Sequence, residues 1–150
     1  MRTNYELMLK QAQAIMDGVP HLTANLANLS ALIFHTLDDI NWAGFYLSEG
    51  DTLILGPFQG NVACVEIPYS KGVCGTAAIE DKTQLVPDVH QFKGHIACDS
   101  ASRSEIVVPI HGGGKVIGVL DIDSPTVNRF TAEDRIGLEK LVALMEEMIF

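Results

Sequence analysis

The sequence is short of cations. Ten Lys and Arg stand against 19 Asp and Glu among 150 residues, a formal net charge of −9. That balance repels phosphate backbones and anionic lipid surfaces, which argues against nucleic-acid and membrane partners. Long apolar runs are missing too. None approaches the ~18 residues a spanning helix requires. The N-terminal MRTNYELMLK lacks the apolar core of a secretory signal, so a cytoplasmic protein is expected. Cysteine is scarce and odd in number: Cys64, Cys74 and Cys98. An odd count in such a chain argues against a structural disulfide framework and leaves packing, metal ligation or redox chemistry. No Cys-x-x-Cys pair occurs. His90, His95 or His111 would have to complete a zinc site, and the spacing matches no zinc motif. No metal and no cofactor are therefore expected.

What is present suffices for a core. Hydrophobic residues make up 47% of the chain, which excludes disorder, and the length suits one domain over residues 1–150. Thr3 and Glu6 form a T-x-x-E capping box that predicts a first helix, with Tyr5, Met8, Leu9, Ala12, Ile15 and Met16 on one face and Gly18 and Pro20 as its stop. Leu22, Leu26, Leu29, Leu32, Ile33 and Leu37 stripe a second helix over about 21–37. The period then changes. WAGFYL (42–47) alternates as a strand with Trp42 and Tyr46 on one face, and Gly50–Asp51 turns into a hairpin partner at 52–55. Short strands are expected at 62–67, containing Cys64, and at 83–86. Residues 71–82 are glycine-punctuated and then weakly helical, with Cys74 in the glycine-flanked loop. Residues 87–104 are the longest aperiodic stretch, and such loops in small domains are usually functional. Glu105–His111 and Lys115–Asp123 form a second hairpin around Gly112–Gly114. Thr131, with Asp134 three residues on, caps a last helix carrying Ile136, Leu138, Leu141, Val142, Leu144, Met145 and Ile149. The order predicts an α+β fold: a mostly antiparallel sheet with N- and C-terminal helices on one face.

Strand parity supplies the first chemical clue. Ile117, Val119, Asp121 and Asp123 share one face of an otherwise apolar strand. Side chains two apart lie roughly 7 Å apart at the backbone, so an enclosed Asp pair would push a pKa upward. Glu105 opens the neighbouring strand, and the short turn brings it toward the same end. Three carboxylates can converge there. The plainer alternatives are strand-end caps for the Asp pair and a solvated terminus for Glu105. Cys98 lies in the long loop after Gly94. Two cysteines on separate loops, Cys74 and Cys98, suit a pair that approach and oxidise. The histidines form no spaced set. Trp42 and Tyr46 are either core residues or the wall of a pocket for an apolar or thioether group.

The segments NWAGFYL (41–47), LGPFQG (55–60), ACVEIP (63–68), GVCGTAA (72–78), GHIACDSASRSEIVVPI (94–110) and GVLDIDSP (118–125) resemble the GAF-domain free methionine-(R)-sulfoxide reductases over about residues 40–140. The resemblance implies a single GAF domain with its ligand pocket on the sheet face away from the terminal helices. It implies reduction of free methionine-(R)-sulfoxide, with thioredoxin as reductant and a role in oxidative stress. Cys98 matches the family's catalytic cysteine, and Cys64 and Cys74 match its resolving cysteines, with Cys74 favoured by loop-to-loop approach. Glu105, Asp121 and Asp123 match its substrate-binding and proton-donating acids, and Trp42 and Tyr46 its pocket aromatics. A homodimer is compatible with these expectations. The alternative from another class is a non-catalytic GAF sensor module; a third is a zinc-binding structural domain.

Overall fold

The computed structural model describes residues 2–94 and 101–150. Six strands form one antiparallel sheet: β1 (Trp42–Glu49), β2 (Thr52–Gly60), β3 (Glu66–Pro68), β4 (Gln84–Val86), β5 (Ser104–Gly112) and β6 (Lys115–Ser124), in the order β3-β2-β1-β6-β5-β4. Helices α1 (Tyr5–Met16), α2 (Leu22–Thr36) and α4 (Ala132–Ile149) lie on one face, and α3 (Gly72–Glu80) on the other. This is the α+β arrangement the sequence predicts. Among the described residues no helix is long and apolar enough to cross a membrane.

Alternation along the strands divides the core. Ala43, Phe45, Ile106, Val108, Ile110, Leu120 and Ile122 pack with Met8, Leu26, Leu29, Ile33, Leu138 and Leu141 of the terminal helices. The residues of opposite parity, Trp42, Tyr46, Val107 and Val119, pack with Cys74 and Ala77 of α3. The second core is where the acids of β5 and β6 emerge.

Four local expectations need correction. Asn4, not Thr3, caps α1: its side chain accepts a hydrogen bond from the Leu7 N–H at 3.0 Å, and Glu6 faces solvent near Lys10. Asn is the stronger cap and stands one residue nearer the helix. Cys64 precedes β3 rather than lying within it. Cys74 occupies the first turn of α3, not a loop. Gly75 permits this, since a Cβ there would stand 2.5 Å from the Pro68 carbonyl oxygen. Ile136 is half exposed rather than part of the apolar stripe. The box at α4 holds in full: Thr131 accepts from the Asp134 N–H, and Asp134 accepts from the Thr131 N–H.

His111, near the end of β5, joins three elements. Its Nδ1 lies 2.8 Å from Glu146 of α4, and its Nε2 lies 2.5 Å from Asp81, the left-handed C-cap of α3. Partial burial would lower its pKa, but hydrogen bonds and charge from Asp81 and Glu146 outweigh that and raise it. A folded-state pKa above the unfolded one stabilises the fold fully below pH ~6.5 and loses that contribution as pH rises through the folded value. The side chain is 40% exposed, and solvent screening holds the effect to about 1 kcal/mol or less. His111→Ala is therefore expected to lower Tm by about 2–4 °C at most in mild acid. In melts run across pH 5 to 9, roughly the range of histidine titration, the gap to wild type should shrink as pH rises. A gap that widens instead would contradict this assignment.

Candidate active site

Register brings the acids together. In the β5–β6 ladder Glu105 is the direct partner of Asp123 and Val107 that of Asp121. In the β1–β6 ladder Trp42 is opposite Asp123 and Gly44 opposite Asp121. Glu105 and Asp121 are buried, with 8% and 6% of their surface exposed. The Cys74 thiol points from α3 toward Glu105, its Sγ 4.0 Å from Oε2. Ligand atoms of Cys74, Glu105 and Asp121 all lie within 4.8 Å of one another.

Burial and crowding set the protonation. The Glu105 pKa is pushed well above the usual carboxylate range, first by desolvation, then by the charges of Asp121 and Asp123 and its hydrogen bonds with them. Among the described residues no ion pair involves Glu105 or Asp121. Desolvation, followed by the charges of Asp121, Glu105 and Asp123, likewise raises the Cys74 thiol. Cys74 is thus held as a thiol, a donor to carboxylates and a poor nucleophile.

The aromatics form a layered wall. Trp42 stacks on Phe58 at 5.0 Å between centroids and on Tyr46 at 6.0 Å. Gly44 makes room for Phe58, because a Cβ at Gly44 would fall 2.3 Å from the Phe58 Cβ. Both polar ends of this wall reach the same loop. Trp42 Nε1 donates to the Asn61 carbonyl at 3.0 Å, and the Tyr46 hydroxyl to the Cys64 carbonyl at 2.9 Å. The wall thereby holds the backbone that carries Cys64. Sequence reasoning missed Phe58 as part of it; the signal was LGPFQG within the resembling segments.

Cys64 is disulfide-bonded, whereas Cys74 is a free, buried thiol. Cys98 and His95 lie outside the described residues. The described residues flanking that segment are tied to the site's rim. The Gly94 carbonyl accepts from the Gly72 N–H at the start of α3. The Arg103 N–H donates to the Ser124 carbonyl, and the Ser102 hydroxyl meets the Asn41 side chain. His90 lies in the single turn Val89–Gln91, and His111 in its own cluster, so neither joins a cysteine in a metal-capable group among the described residues.

The sequence matches the GAF domain family over residues 23–149. It is 54% identical to the free methionine-R-sulfoxide reductase of Escherichia coli over 97% of this chain and 88% of that protein. The fold superimposes on fRMsr of Staphylococcus aureus in complex with substrate at a TM-score of 0.95, with 55% identity, covering 100% of this chain and 98% of that one. It superimposes on the free methionine-R-sulfoxide reductase of Neisseria meningitidis, also in complex with its substrate, at 0.93, with 41% identity, covering 96% and 87%. With the acid cluster and the aromatic wall carried on this sheet, the chain belongs to the GAF-domain family of free methionine-R-sulfoxide reductases.

Proposed function

We propose that the protein reduces free L-methionine-(R)-sulfoxide to methionine. The observation that carries this is the group of buried Glu105 and Asp121 with half-buried Asp123, a ready place for the ammonium of a free amino acid, in a chain so similar to reductases solved with their substrate. A peptide-bound methionine has no such ammonium.

Cys98 attacks the sulfoxide sulfur. The oxygen must take a proton, and Glu105 is the carboxyl whose surroundings keep one. Methionine leaves and Cys98 becomes a sulfenic acid. The Cys64 thiol displaces water from it to form a disulfide. Assignment of the resolving step to Cys64 is supported by its bonded state, by its loop position between two hydrogen-bonded aromatics, and by the buried, raised thiol of Cys74. Thioredoxin, a dithiol reductant of the cytoplasm, returns the disulfide to thiols. Trp42, Tyr46 and Phe58 enclose the S-methyl end of the substrate.

The test is thioredoxin-coupled reductant consumption on the separated epimers of free methionine sulfoxide. Turnover of the R epimer with little on the S epimer is expected. No turnover of either, with methionine sulfoxide still binding, would make the domain a sensor instead.

A further inference from the structure

The acid group does more than await an ammonium. Cys74, Glu105 and Asp121 offer one sulfur and two carboxylate oxygens within 4.8 Å of one another, and all three side chains are buried. One carboxylate oxygen of Asp121, Oδ1, is buried with no hydrogen-bond partner among the described residues, although buried acceptors are nearly always satisfied. No Lys or Arg forms an ion pair with Glu105 or Asp121 among the described residues.

We infer that Cys74, Glu105 and Asp121 form a binding site for a zinc ion, with a water in the fourth position. Zinc takes thiolate sulfur at ~2.3 Å and carboxylate oxygen at ~2.0–2.2 Å, so tetrahedral ligand atoms stand ~3.5 Å apart. The Cys74 Sγ to Glu105 Oε2 distance of 4.0 Å is close to that spacing, and side-chain rotation closes the remainder. A dication relieves the repulsion among the acids, and a soft sulfur beside hard oxygens favours zinc over magnesium or calcium. The ligands come from three elements, α3, β5 and β6, and sequence spacing therefore carries no zinc motif. Cys74 is a free thiol while Cys64 is disulfide-bonded, so the Cys74 sulfur remains available when that disulfide is formed. Competition between zinc and the sulfoxide for these acids is a consequence that rests on the proposed function; the metal site itself does not.

The test uses the full chain, stripped of metal, with the Cys64 disulfide intact, so that Cys74 is the thiol in play. Zinc is titrated calorimetrically in a non-chelating buffer, and cobalt(II) is used as its spectroscopic stand-in. One ion per chain is expected, with a near-ultraviolet sulfur-to-cobalt charge-transfer band. Cys74→Ser should abolish the band, and Asp121→Asn should weaken zinc binding by about tenfold or more. Folding of each variant is checked by circular dichroism, and Asp121→Asn decides alone if the serine variant does not fold. Absence of stoichiometric binding, a cobalt spectrum without the sulfur band, or binding unchanged in the folded variants would overturn the site. These outcomes need no reductase assay, so failure of the metal site and failure of the proposed activity read out separately. Added methionine sulfoxide should weaken zinc binding; if it does not, the overlap is refuted.

Discussion

Cys98→Ser is expected to abolish turnover of free methionine-(R)-sulfoxide while the fold persists. A serine hydroxyl is far less nucleophilic than a thiolate and cannot carry the oxygen as a sulfenic acid, so the loss should be at least about 10³-fold. The decisive measurement is methionine released in a single turnover, since this isolates the first step from recycling. Retained release would remove Cys98 from its role. Cys64→Ser should still release one methionine and then stall, because the sulfenic acid has lost its partner. Peptide mapping of wild type after one turnover should find Cys64 joined to Cys98 and Cys74 free. The buried position and raised pKa of the Cys74 thiol are the physical reason to expect that pairing over the one loop proximity suggested. A Cys74–Cys98 product would overturn it.

The acid group carries the second large effect. Asp121→Asn or Asp123→Asn keeps side-chain size but removes the carboxylate proposed to hold the ammonium. Each should cost about 2–4 kcal/mol of transition-state stabilisation, roughly a 30- to 1,000-fold fall in kcat/KM. N-acetylated methionine sulfoxide should be a poor substrate for wild type on the same ground. Near wild-type rates in both experiments would reduce these residues to strand-end caps. The rate should also fall as pH rises, because the proton shared by the cluster is lost, with apparent pKa values that belong to the group and not to one residue. Glu105 adds a stability signature. Its folded pKa lies above the unfolded one, so the native state binds more protons and stability falls as pH rises from the unfolded value, ~4.3, toward the folded one. Glu105→Gln removes that cost. It should raise Tm at neutral pH relative to wild type while lowering the rate. A variant that loses both stability and activity would show Glu105 to be a structural hydrogen-bonding residue.

The positions of the acids were legible because they depend on parity and short turns. Asp121 and Asp123 share a face by the twofold alternation of a strand, and a tight hairpin leaves Glu105 few places other than opposite Asp123. The same economy made the α4 capping box readable, since its parts are three residues apart. The α1 box failed because two adjacent residues competed for one local role and Asn4 won.

By itself, then, the sequence determined the hairpins, the division of each strand into two faces, the terminal helices and the convergence of three carboxylates, all of which follow from contacts near in the chain or from period alone. Only the tertiary structure decided how the cysteines differ. Cys74 is a helix residue because Gly75 lets α3 close onto the Pro68 carbonyl, and it is buried against acids from strands more than 30 residues on. The Cys64 loop is held by hydrogen bonds from Trp42 and Tyr46 to backbone carbonyls. Every residue has a carbonyl, so no side-chain pattern at 61–65 announces that anchorage. It exists only once β1 and the loop after β2 are folded side by side.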